Sequence, residues 1–247
     1  METTKRITIG AVISFFAILL VVSTSVAQTR KADVATFQLG TQSLRIPAPT
    51  GFEEAASQFE QIKTRFTTTE APDNDMLAVH LLHADCEKLR AGESGTFNFY
   101  TKVSVRRAIR DVDYSAERFA SLVAAFRENG SQILDINSPT MKGIVDRLDK
   151  SLSELSKQDT KVDLSQPVNL GEIDTRPNVY SVILLMNFTT KVGDSEQTVP
   201  ILGGLTYMRA GHRLIYVYTY RKYESKADVG VLRDFTKQWI GQILAAN

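Results

Sequence analysis

The chain has 247 residues, with 29 basic against 28 acidic side chains and a single cysteine. A charge so balanced leaves no surplus to face phosphate, which argues against a nucleic-acid binder. One cysteine excludes an internal disulfide framework, so the fold must rest on a buried core.

The first residues include Lys5 and Arg6, and a run of apolar residues from 11 to 22 follows, broken only by Ser14. Then come Ser25 and Ala27, small residues at the −3 and −1 positions of a cut before Gln28. A basic start, a short apolar middle and a small-x-small exit form a secretory signal peptide over 1–27. The uninterrupted apolar run spans about 18 Å as a helix, short of the ~30 Å of a bilayer core. Counting from Ile7 to Ala27 reaches a spanning length only by including Thr8, Gly10, Ser23, Thr24 and Ser25. An uncleaved anchor is therefore the alternative, and membrane contact is expected only in that case. Removing 1–27 leaves 27 basic and 27 acidic residues.

Residues 28–36 are polar and read as a flexible N-terminal segment, and 37–247 read as a single α/β domain. Phe37 to Leu39 and Leu44 to Ile46 flank Gly40 as a hairpin, which Pro47 and Pro49 stop. Ala55, Phe59, Ile62 and Phe66 make one helical stripe. Residues 76–83 read as a strand, and Asp85 caps a short helix. Between 97 and 105, apolar Phe97, Phe99, Val103 and Val105 alternate with Asn98, Tyr100, Lys102 and Ser104, the pattern of a strand with one stronger core face.

Ser115 caps a helix whose stripe is Phe119, Leu122, Val123 and Phe126, and Gly130 is expected to close it. Ser138 and Pro139 open another helix, and 139–160 read as a helical insertion. Residues 161–178 look like a connection with at most one short strand. Residues 179–190 form a strand apolar on both faces, hence covered on both sides. Residues 199–208 return, with Gly203 and Gly204 suggesting a bulge, and 214–220 make a third strand. Ser225 and Asp228 resemble a capping box before a helix that buries Leu232, Phe235, Trp239, Ile240 and Leu244. Short turns require antiparallel pairing of the last three strands. The expected fold is an α/β/α sandwich around a mostly antiparallel sheet with helices on both faces.

This layout resembles the PsbP/Mog-type sandwich group, whose opening hairpin ends in a phrase like Ile46-Pro47-Ala48-Pro49-Thr50-Gly51-Phe52 and whose closing meander leads into a C-terminal helix. The stretch 77–93 is also similar to one in a set of uncharacterised bacterial exported proteins. The resemblance implies an accessory or binding protein rather than an enzyme, and fold alone does not fix function.

No catalytic set assembles in the sequence. There is no G-x-S-x-G elbow, no phosphate loop and no zinc spacing, so neither cofactor nor metal is expected. His80, His83, Asp85 and Cys86 are the densest ligand-capable cluster, but an odd step along a strand sends His80 and His83 to opposite faces. Tyr216, Tyr218 and Tyr220 share one face of the last strand and Tyr207 lies on the strand before. Phenols of this kind line a pocket for an amphipathic ligand or pack as core under a helix. The expected function is that of an exported, non-enzymatic binding or accessory protein with a protein or small-molecule partner. The alternatives are an exported hydrolase and a membrane-anchored extracytoplasmic domain.

Overall fold

The computed structural model describes residues 34–247 apart from Ser94 and Thr96. The signal segment 1–27, its cut between Ala27 and Gln28, and residues 28–33 lie outside the described residues.

The chain opens with a hairpin, β1 (Val34–Leu39) and β2 (Gln42–Pro47). Its turn is only Gly40 and Thr41, and Gly40 supplies the positive φ of +59° that such a turn requires. β1 begins earlier than expected. Residues 34–36 of the supposedly flexible segment pair with 45–47, because Leu39, Leu44 and Ile46 are buried and hold the hairpin down.

The main sheet contains β3 (Phe52–Glu54), β4 (Asn74–Leu82), β5 (Phe99–Arg106), β6 (Thr160–Leu164), β7 (Val168–Asp174), β8 (Val179–Val192), β9 (Ser195–Ala210) and β10 (Arg213–Lys222). Its order is β3-β4-β5-β10-β9-β8-β6, with β7 also on β8. Every pairing is antiparallel. The helices are α1 (Glu60–Thr68), α2 (His83–Arg90), α3 (Ala116–Ile133), α4 (Pro139–Ser156) and α5 (Ala227–Ala246). The molecule is the expected α/β/α sandwich.

One face of the sheet lies under α5. Val103, Val105, Ile215, Val217 and Met208 pack there against Trp239, Ile240 and Ile243, and the hairpin's Leu39, Leu44 and Ile46 close the same cluster. A neighbouring cluster joins Phe52, Phe99, Ile183 and Leu202 to Leu232. The other face carries two cores. Val79 and Leu81 meet α1 and α2 through Ile62, Phe66, Cys86 and Leu89. Tyr180, Val182 and Leu184 meet α3 through Phe119 and Val123. The stripe Ala55, Phe59, Ile62 and Phe66 is buried as expected, although the helix itself starts only at Glu60.

Several local signals gave way to tertiary packing. α3 runs through Gly130 to Ile133. Gly203 and Gly204 form no bulge, since both neighbouring ladders pass through them in continuous register. A Cβ at Gly204 would overlap Thr219 Oγ1 and stand 3.2 Å from Thr236 Oγ1, so this glycine exists to let α5 approach the sheet. The expected connection over 161–178 contains two strands, β6 and β7. At the start of α5, Asp228 accepts hydrogen bonds from the Ser225 and Glu224 N–H groups at 2.8 and 3.0 Å. This is the acidic half of a capping box, and with the Arg221 guanidinium it holds the Asp228 carboxyl down at about 2.

Candidate functional site

Directly opposed residues of an antiparallel sheet share a face, so register alone places the tyrosines. One row across the sheet reads Leu81, Tyr100, Tyr220, Gly203, Leu184. The next reads Val79, Lys102, Tyr218, Leu205, Val182. A third contains Ser104, Tyr216, Tyr207 and Tyr180. Tyr207, Tyr216, Tyr218 and Tyr220 therefore lie on one face, opposite α5.

The structure divides these four. Tyr207 and Tyr216 belong to the core under α3: their rings stand 5.2 Å apart, and Phe126 lies 4.3 Å from Tyr207 and 5.4 Å from Tyr180. Tyr218 and Tyr220 belong to none of the buried apolar clusters. They continue instead into a ladder of near-parallel rings, Tyr100 to Tyr220 at 4.9 Å and Tyr220 to Tyr218 at 6.3 Å. Gly203 leaves the space beside Tyr220 open, since a Cβ there would meet only that ring, at 3.9 Å.

A charged group borders this ladder. Lys102 Nζ sits 4.9 Å from the centre of the Tyr218 ring, a cation–π distance, and 2.8 Å from Glu70. Glu70 also accepts from Ser104 at 2.6 Å and Asn74 at 3.0 Å. Burial pushes the Glu70 carboxyl up, but Lys102 and these donors outweigh it and hold it below the usual range. Burial raises the phenols in turn: Tyr100 and Tyr207 rise to about 12, and Tyr218 and Tyr220 also rise. All remain neutral donors at physiological pH.

The hydroxyls of Tyr100, Tyr218 and Tyr220 have no hydrogen-bond partner among the described residues, yet they are not among the sealed polar atoms left without one. Each of the three residues is half-buried. α4 helps bound this space. Ser151 of α4 donates to the Thr68 carbonyl at 3.0 Å, and Ser153 donates to the Thr160 carbonyl of β6 at 3.2 Å. The inward side chains of β6 share the tyrosine face, Leu164 standing opposite Phe188. The apolar stripe Ile144, Val145, Leu148 and Leu152 is half-buried and joins none of the buried clusters. α4 thus lies on the side of the sheet that carries these phenols.

The other chemical candidates are scattered. His80 lies on the α5 face, fully buried, with Nδ1 3.0 Å from Thr101 Oγ1 and its ring edge-on to Trp239 at 5.3 Å. His83 starts α2 rather than ending a strand, and its Nδ1 meets Glu53 at 2.8 Å. Burial pushes the Glu53 carboxyl up, but Arg90 and His83 together bring it below its usual value. Burial lifts the Cys86 thiol to about 12, so it is no thiolate nucleophile at neutral pH. Among the described residues no three His, Cys, Asp or Glu side chains are grouped to hold an ion, and no helix is long and apolar enough to cross a membrane.

No family model matches the chain, and no curated protein matches it. Among solved structures, a point mutant of the protein Mog1 matches over 87% of this chain and 93% of that one. The two share 11% identity, with a TM-score of 0.30. The likeness is a weak one of fold alone.

Tyr100, Lys102 and Glu70 are site residues that the sequence did not single out. The alternation in β5 put Tyr100 and Lys102 on its weaker face. Only the pairing of β5 with β10 turns that face into the continuation of the tyrosine row.

Proposed function

We propose that this protein is an exported, non-enzymatic binding or accessory module of the PsbP/Mog type, and that the Tyr100–Tyr220–Tyr218 ladder contacts its ligand. The observation that carries this reading is three neighbouring, half-buried phenols whose hydroxyls have no hydrogen-bond partner among the described residues, beside the Lys102–Glu70 ion pair. Such a floor suits a neutral amphipathic ligand, which would use the ring faces for area and the hydroxyls for orientation.

Replacing both Tyr218 and Tyr220 with Phe removes two hydroxyls and keeps the rings. Protein recovered from its native host is expected to carry a small molecule visible by native mass spectrometry. The double variant should lose it with little change in melting temperature. Recovery of bare wild-type protein, together with ester, phosphate or peptide hydrolysis that disappears in His83→Ala, would replace this reading with the hydrolase one.

Export is supported by the pattern of 1–27. N-terminal sequencing of material outside the cytoplasm should begin at Gln28. A chain that keeps Met1 and stays with membranes through a carbonate wash would instead be an anchored domain.

A further inference from the structure

Among the described residues, the lane beside β4 is vacant beyond β3. β3 occupies it only as far as the bond from Ala55 N–H to the Val79 carbonyl, 2.7 Å, and at Ala56 the chain turns away toward α1. Hydrogen-bonding direction alternates along an antiparallel strand. Arg107 N–H donates across to the Asp73 carbonyl at 2.7 Å. With the pairs Asp75↔Val105 and Met76↔Ser104, this turns the main-chain groups of Asp75 toward β5 and those of Met76 outward into the lane.

The hairpin offers a second edge. Its two-residue turn makes Leu39 and Gln42 a bonded pair, so Thr36, Gln38 and Arg45 direct their main-chain groups outward. Arg45 is satisfied by the Asn247 side chain at 2.8 and 2.7 Å, and the Gln38 carbonyl accepts from Arg110 at 3.2 Å. By this alternation the N–H and C=O of Thr36 and of Met76 point out of their own ladders, Met76 lying just before the register shift to Ala78, and among the described residues no bond from outside those ladders reaches them.

Both edges line one hollow of about 580 Å³, with Phe37, Ser57, Lys63 and Leu77 among its walls. A second hollow of about 440 Å³ shares Met76 and Leu77 and extends toward Arg107 and Arg110. The two hollows adjoin at Met76 and Leu77, along the edge of the sheet. Their charges are already matched: Arg107 and Arg110 bind Asp75, Lys63 faces Glu60, and Glu54 caps the N–H groups of Ala56 and Ser57. What is left unpaired is main chain, and alternating N–H and C=O groups are matched by another main chain.

We propose that these adjoining hollows take an extended, uncharged peptide segment of a partner protein, added as a short strand in the lane that β3 vacates, with Thr36 and Met76 as its main-chain partners. The inference is independent of the tyrosine ladder.

The probe is acetyl-Ser-Thr-Val-Thr-Val-Thr-Ser-amide, titrated into the ¹⁵N-labelled full chain. Saturable shifts at the Thr36 and Met76 amides, with slowed hydrogen exchange there, are expected. Thr36→Pro should weaken binding about tenfold, the equivalent of roughly one main-chain bond. Proline breaks no hairpin bond at this outward position, and Pro47 already occupies the equivalent kind of site opposite Val34. A probe N-methylated at alternate residues should lose binding similarly on the unmodified protein, which decides the matter even if Thr36→Pro folds poorly. Tyr218→Phe should bind the probe like wild type. Absence of saturable shifts, shifts confined to the tyrosine face, or indifference to N-methylation would overturn the proposal.

Discussion

Trp239→Ala is expected to lower folding stability by about 3–5 kcal/mol, the usual cost of deleting a large buried aromatic. That is a large part of the ~5–15 kcal/mol that holds a domain folded. Trp239 is 1% exposed. Its ring packs between α5 and the sheet, edge-on to His80, and its Nε1–H donates to the Pro47 carbonyl at 2.8 Å. The truncation therefore opens a cavity, strips a carbonyl of its donor and loosens the hairpin from α5. Trp239→Phe keeps much of the volume and should cost less. Urea unfolding followed by circular dichroism measures both, and the native tryptophan should emit at blue-shifted wavelengths. Emission typical of exposed indole, with an unchanged unfolding midpoint in Trp239→Ala, would show that the last helix does not dock this way.

The second large effect is one of pH. Burial depresses His80 from 6.5 to about 3: its Nδ1 meets the Thr101 hydroxyl, the Trp239 ring stands edge-on to it, and its Nε2 has no hydrogen-bond partner among the described residues. The folded state thus holds His80 neutral where the unfolded chain would protonate it. Its contribution is fully present above pH 6.5 and is lost as pH falls toward 3, at about 1.4 kcal/mol per unit. Stability should drop by about 2 kcal/mol between pH 6.5 and 5, above the range in which the depressed carboxylates Glu53, Glu70 and Asp228 respond. His80→Gln should remove that slope while lowering stability at neutral pH. Equal unfolding free energies at pH 6.5 and 5 in the wild type would show that His80 is not held neutral inside.

Much of the fold was legible because local pattern and global packing agree. The 3.6-residue stripe of α5 and the two apolar faces of β8 are continuous in sequence, and Ser138 accepts from the Met141 N–H at 3.2 Å to start α4 where Ser-Pro predicts it. What was missed depends on partners distant in sequence. Gly130 is punctuation in isolation, but α3 continues because Leu134 N–H still reaches the Gly130 carbonyl at 3.1 Å. Gly204 suggests a bulge until Thr219 and Thr236 are placed against it. β6 and β7 are short, and their burial comes from α4 and from α5, so neither carries enough pattern by itself. At the candidate site, parity along β10 was enough to align Tyr216, Tyr218 and Tyr220. Which of them become core and which stay open was not readable, because α3 covers one end of the row and not the other.

The earliest and latest described segments close the same core. Trp239 bonds to Pro47 across 192 positions, Arg45 to Asn247 across 202, and the buried Arg213 reaches the Leu39 carbonyl across 174. Contacts of such sequence separation form late and slowly. A ribosome releasing this chain therefore holds a hairpin whose core with Val103, Val105, Met208 and Ile215 stays incomplete until Trp239, Ile240 and Ile243 of α5 have been synthesised. Under the export proposed above, this topology would act as a timer: the earliest strands would stay pliable during transit, and the final helix would be the piece that locks them.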